Sequence, residues 1–186
     1  MLFDALDNSS GDKPAPSSGI RALALMALLV AAEVVLSRFL SFAVWNMKIG
    51  FAFLPVALAA VLLGPVRAGV VGAVADFLGA VLFPIGAYFP GFTLTAFLMG
   101  AVYGLFLYQH LSFLRVVGAV AVNQLLLSLL LNTLWISILY GSPYGPLFVT
   151  RLTQCAILIP VQCLVLGVLL RTMREYLLKK AEELHP

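Results

Sequence analysis

Histidine and cysteine are almost missing from this chain, and charge of either sign is scarce. Two histidines, His110 and His185, and two cysteines, Cys155 and Cys163, are too few for a His/Cys zinc set. The cysteines share one apolar run and fall on roughly one helix face. Thiols of a single helix cannot bridge each other, so packing is expected of them rather than redox chemistry. No G-x-x-x-x-G-K-[ST] phosphate loop, H-E-x-x-H pair or G-x-S-x-G elbow is present. The chain therefore has no ATPase motif of its own, and neither enzymatic activity nor a cofactor or metal is expected. Nor does the sequence contain the inverted pair of broken helices on which secondary transporters are built.

What remains is apolar. Hydrophobic residues make up 62% of the 186 positions and charged residues 10%, with a mean hydropathy of +1.07. A soluble domain of this length could not hide so much apolar surface, so lipid is its solvent. The net charge of +3 does not indicate a nucleic-acid partner, because the basic residues are scattered at the ends of apolar runs, where membrane topology accounts for them.

A hydrocarbon core of about 30 Å takes about 20 helical residues. Six apolar runs meet or approach that length: 20–38, 49–64, 66–83, 92–109, 113–138 and 149–171. The fold class is thus all-α, a polytopic cell-membrane protein of six transmembrane helices. The second run is short and carries Pro55, which predicts a kinked or tilted span; the fifth is long enough to project from the bilayer. Pro160 predicts a kink in the sixth. Residues 1–19 read as a disordered tail, 20–171 as the membrane domain and 172–186 as a basic, amphipathic tail. The run from Ile20 is too long for a cleaved signal peptide. Lys13, Arg21, Arg67, Arg115, Arg171, Arg174, Lys179 and Lys180 fall on one side of this topology and Arg38, Lys48 and Arg151 on the other. That bias places both termini in the cytoplasm and the longer loops outside.

Ionisable and amide side chains inside a span are costly, so Glu33, Asp76, Asn123, Gln124, Asn132, Arg151, Gln154 and Gln162 are the candidates for function. Glu33, Arg38, Asn132, Arg151 and Gln154 belong to the outer halves of their helices, with Asp76 near the middle of the third. Trp45, Tyr88, Phe89, Phe92, Trp135, Tyr140 and Tyr144 gather in the same outer segments. They read either as an interfacial belt or as a stacking box for a flat heteroaromatic ligand. Three external cations with no acid in the external loops suit a ligand bearing carboxylates or phosphate. A carboxylate such as Asp76 or Glu33 suits the donor edge of an amino-pyrimidine; ion pairing among Glu33, Arg38 and Arg151 is the structural alternative. Small residues recur at helical spacing: Ala24, Ala27 and Ala31, Gly100-x-x-x-Gly104, and Gly69, Gly72 and Gly79. By themselves they indicate close helix packing.

Several segments carry a resemblance. They are Ala27-Leu28-Leu29-Val30-Ala31, Glu33-Val34-Val35-Leu36-Ser37-Arg38-Phe39, Phe53-Leu54-Pro55, Gly64-Pro65 and Asp76-Phe77-Leu78-Gly79. The most specific is the run Leu82-Phe83-Pro84-Ile85-Gly86-Ala87-Tyr88-Phe89-Pro90-Gly91-Phe92-Thr93-Leu94. Together, over residues 20–170, the chain resembles the substrate-binding S components of energy-coupling factor (ECF) vitamin transporters, in their folate branch. The resemblance implies a six-helix subunit that captures folate outside. It would dock on a membrane scaffold subunit bound to two cytoplasmic ATPases, and topple to release the vitamin inside. It also maps the family's Ala-x-x-x-Ala docking motif onto Ala27 and Ala31, with Ala24 on the same face. The pocket follows from depth and chemistry. Arg38, Lys48 and Arg151 are expected to meet carboxylates; Trp45, Tyr88, Phe89 and Trp135 to stack; and Asp76, Asn132 and Gln154 to read the pterin edge. An S component for another vitamin or precursor, such as a pyrimidine or flavin, is one alternative reading. A small six-span scaffold protein is the other.

Overall fold

A computed structural model describes residues 18–44, 47–84, 86–108, 112–172 and 176. The two expected tails lie almost wholly outside these residues. Within them run six helices: α1 Ser18–Arg38, α2 Phe53–Leu63, α3 Pro65–Leu82, α4 Pro90–Leu107, α5 Phe113–Tyr140 and α6 Tyr144–Thr172. All but α2 are long and apolar enough to cross a membrane. Their exposed side chains are those lipid would cover. Val66, Val70, Val74 and Val81 form one stripe along α3, and Val149, Leu152, Ile157, Val161, Leu164 and Val168 cover α6. This is a multi-pass membrane protein.

The six spans fall close to their expected places, with the second most changed. Eleven residues of α2 extend only about 16 Å, about half a bilayer. Every residue from Ala59 to Leu63 is buried, so α2 is apolar all round because it is wrapped by α1, α3 and α4. Pro55 falls in its first turn, where no backbone N–H is needed, so it starts the helix instead of kinking it. The chain before it, expected to be helical from residue 49, forms an antiparallel hairpin of β1 Ser41–Val44 and β2 Met47–Gly50, with Val44 paired to Met47. Phe42, Val44 and Ile49 favour extended backbone, and Gly50 opposes helix continuation. The hairpin lies against α1 and α6.

Gly64 has φ of 86° and breaks α2 from α3, which Pro65 then opens. The α3–α4 pair is the tightest contact in the bundle. A β-carbon on Gly100 would collide with the Ala68 carbonyl, one on Gly104 with the Pro65 backbone, and one on Gly72 with the Ala96 carbonyl. Close packing is what the Gly100/Gly104 spacing implied. Buried polar groups tie the other helices together. Asn123 Nδ2 donates to the Met99 carbonyl at 3.3 Å, Tyr103 to Gln162 Oε1 at 3.4 Å, and Cys155 Sγ to the Gln124 carbonyl at 3.3 Å. Asn123, Gln124 and Gln162 thus act in packing, and both cysteines are buried free thiols. Helix α6 runs unbroken through Pro160. Helix α5 is α-helical at both ends but π-helical over Asn123–Asn132, a wider winding that is rare and frequent at functional sites.

Candidate binding site at one end of the bundle

The C-terminal ends of α1, α3 and α5 and the first turns of α4 and α6 meet at one end of the bundle. Two hydrogen-bonded chains are anchored there on the start of α4. In the first, Thr93 Oγ1 donates to Asp76 Oδ2 at 2.8 Å, and the Tyr88 hydroxyl lies 3.2 Å from Thr93 Oγ1, with the Tyr88 ring edge-on to Phe77 at 5.8 Å. In the second, Trp135 Nε1 donates to Thr95 Oγ1 at 3.0 Å, and Thr95 passes its own proton to the Gly91 carbonyl at 2.9 Å. The Phe89 ring packs 5.5 Å from Trp135 and 6.2 Å from Phe92. Gly91 makes room, since a β-carbon there would strike Phe89 and Trp135 together.

Cations flank these chains. Arg38, at the end of α1, lays its guanidinium over Gly79; a β-carbon there would lie 2.8 Å from Nε. Gly79 is close to one helical turn beyond Asp76 on α3, so the cation and the carboxylate are near neighbours in the fold. On α6, Arg151 donates from Nη1 to the Ser128 carbonyl at 3.2 Å, within the π-helical stretch of α5. The Nε atoms of Arg38 and Arg151, Asn132 Oδ1 and Thr133 Oγ1 are enclosed by protein without a hydrogen-bond partner. An enclosed polar atom with no partner costs about 1–3 kcal/mol. Asn123 Oδ1 and Arg67 Nη1, elsewhere in the bundle, share this condition, but the four stand together on the converging ends of three helices, where one polar ligand could complete them.

The structure brings together six of the expected ligand residues: Arg38, Asp76, Tyr88, Phe89, Asn132 and Trp135. Arg151 reaches the same part of α5 from α6, and Gln154 is buried one turn further along α6. Lys48 belongs to β2, beside α6, but its side chain, like the whole of Trp45, lies outside the described residues. Thr93 and Thr95 were missed. Hydroxyl side chains cost little in a membrane helix because they can bond to the backbone one turn back, as Thr95 does, so the sequence gives no alarm at them. A separate groove of about 690 Å³ runs between the start of α5 and the C-terminal half of α6, lined by Phe113, Val116, Pro160 and Leu164 with Arg171. Its lining is chiefly apolar and includes none of the four atoms named above. On α1, Ala24, Ala27 and Ala31 are all exposed, among Leu23 and Leu28 at 67% and 65%.

A bundle of membrane helices that closes a polar, aromatic cluster at one end has the architecture of a membrane binding subunit. The family is settled by comparison: residues 21–170 match the model of the ECF transporter substrate-specific component, and the chain belongs to that family. It is 44% identical over 148 residues to the folate transporter FolT of Clostridium novyi (strain NT), covering 79% of this chain and 86% of that protein. To the folate transporter FolT of Leuconostoc mesenteroides it is 31% identical over 164 residues, 84% of this chain and 88% of the other. The crystal structure of FolT bound with folic acid superposes with a TM-score of 0.74 at 40% identity, over 78% of this chain and 89% of that one.

Proposed function

We propose that this protein is the folate-capturing subunit of an ECF importer. The observation that carries this reading is the likeness, along most of the chain, to a solved relative that holds folic acid. The chemistry of the clustered end supports it. Folate presents a flat pterin, an aromatic spacer and a glutamate with two carboxylates. Arg38 and Arg151, each with an unpartnered Nε, and Lys48 serve the carboxylates through charge-assisted hydrogen bonds. Trp135 and Phe89, already packed together, offer ring faces, with Tyr88 and Trp45 from the neighbouring segments. Asp76, Asn132 and Gln154 take the donor and acceptor edges of the pterin. Both termini are cytoplasmic in this reading, which turns the cluster to the outside.

The chain has no ATPase motif, so delivery requires partners: a membrane scaffold subunit and two cytoplasmic ATPases, which supply the work of reorienting the loaded subunit. Ala24, Ala27 and Ala31, small and exposed on α1, are the docking face. The test is a folate titration of the purified protein in detergent, followed by tryptophan fluorescence, with thiamine and riboflavin as controls. Quenching by folate alone is expected. A response only to another vitamin would change the substrate and keep the class, and silence toward all three would overturn the ligand-binding reading.

A further inference from the structure

A hydroxyl has one proton to give. Thr93 gives its own to Asp76 Oδ2 at 2.8 Å, so the 3.2 Å contact between Tyr88 and Thr93 carries the proton of Tyr88, with Thr93 Oγ1 accepting. The order is therefore fixed: Tyr88 donates to Thr93, and Thr93 donates to Asp76. Tyr88 belongs to the segment 86–89 between α3 and α4, Asp76 to α3 and Thr93 to α4. One hydroxyl thus joins two helices and their connection at the only acidic side chain of α3 and α4. The rest of that segment leans the same way, with Tyr88 edge-on to Phe77 and Gly86 close under the Tyr140 hydroxyl.

We propose that Thr93 is a positioning residue for ligand recognition, fixing the plane of the Asp76 carboxylate and holding the 86–89 segment beside it through Tyr88. The proposal rests on the folate reading above and deepens it. A carboxylate offers about four lone-pair sites. Thr93 takes one on Oδ2 and leaves Oδ1 whole, so a pair of parallel N–H groups on a pterin edge still finds two acceptors in a set orientation. Without Thr93 the carboxylate turns freely, and a two-point grip becomes a one-point grip.

Thr93→Val keeps the shape of the side chain and removes the hydroxyl. It is expected to weaken binding of folate, and of pteroate (the pterin end without its glutamate), by about tenfold, the loss of one charge-assisted hydrogen bond. Binding of p-aminobenzoylglutamate, which lacks the pterin and is measured by competition, stays within about twofold, and Thr93→Ser restores folate affinity. Tyr88→Phe is expected to speed folate release in the native background and to add nothing to Thr93→Val, because the chain is already cut. Melting temperatures of all variants establish that they fold. Unchanged folate affinity in Thr93→Val overturns the proposal, as does an equal loss toward p-aminobenzoylglutamate. Failure of the unsubstituted protein to bind folate overturns the functional reading and this proposal with it, so the two failures are told apart by that one titration.

Discussion

Arg151 illustrates how a single side chain can serve function at the expense of the empty fold. Its guanidinium is largely enclosed, one nitrogen satisfied by the Ser128 carbonyl and Nε by nothing. An enclosed cation with an unsatisfied donor destabilises the unliganded protein, so it persists where a ligand supplies the missing acceptor. Arg151→Gln is therefore expected to lower folate affinity by roughly 10- to 150-fold, the worth of a hydrogen bond to a charged group. The melting temperature of the ligand-free protein should hold or rise. Isothermal titration and a thermal shift on the same sample decide it; a large fall in melting temperature with affinity intact would make Arg151 a structural residue. Arg38, with its own unpartnered Nε over Gly79, invites the same pair of measurements. The cost of burying charge in a span is what makes such residues legible from sequence. Thr93 and Thr95 give no such signal, and only their hydrogen bonds reveal them.

Helices α3 and α4 owe their contact to what their side chains lack. Gly69, Gly72, Gly100 and Gly104 let the two backbones touch, and Gly100 faces the Ala68 carbonyl where any β-carbon would collide. Gly100→Val is expected to force the pair apart and cost about 1–3 kcal/mol, the range for overpacking. The check is a lowered melting temperature and weaker folate binding, since α3 carries Asp76 and α4 carries Thr93. Wild-type stability in that variant would refute the packing role. Lengths, ends and order of the helices were readable from apolar runs because lipid allows little but helices of bilayer length. Helix α2 escaped that rule: eleven residues wrapped by other helices obey burial, not bilayer thickness. The hairpin at 41–50 and the π-helical winding of α5 also went unread. Four-residue strands carry too short a pattern, and a change from α to π winding leaves composition untouched.

Taken whole, the molecule has two different kinds of exposed apolar surface. Most of it is large and branched, as along α6 from Val149 to Val168, and suits fluid acyl chains. On α1 the exposed surface is interrupted by Ala24, Ala27 and Ala31, while Ala22 on the same helix is buried in the core at 4%. Alanines spaced three and four apart on an outward face let a foreign helix approach closely, and lipid has no need of such a notch. On the proposed reading, a folate-capturing subunit with no ATPase motif in its sequence couples to its partners through some such face. Ala27→Trp, or Ala31→Trp, is expected to leave folate affinity within about twofold of native, because both side chains face outward from the bundle. The same substitution should abolish ATP-dependent folate uptake by the complex reconstituted in vesicles. Leu164→Trp, on the exposed face of α6, is the matched control and should preserve both. Loss of binding in Ala27→Trp would assign the notch to the fold of the subunit. Uptake that survives in both alanine variants would move the docking face elsewhere on the bundle.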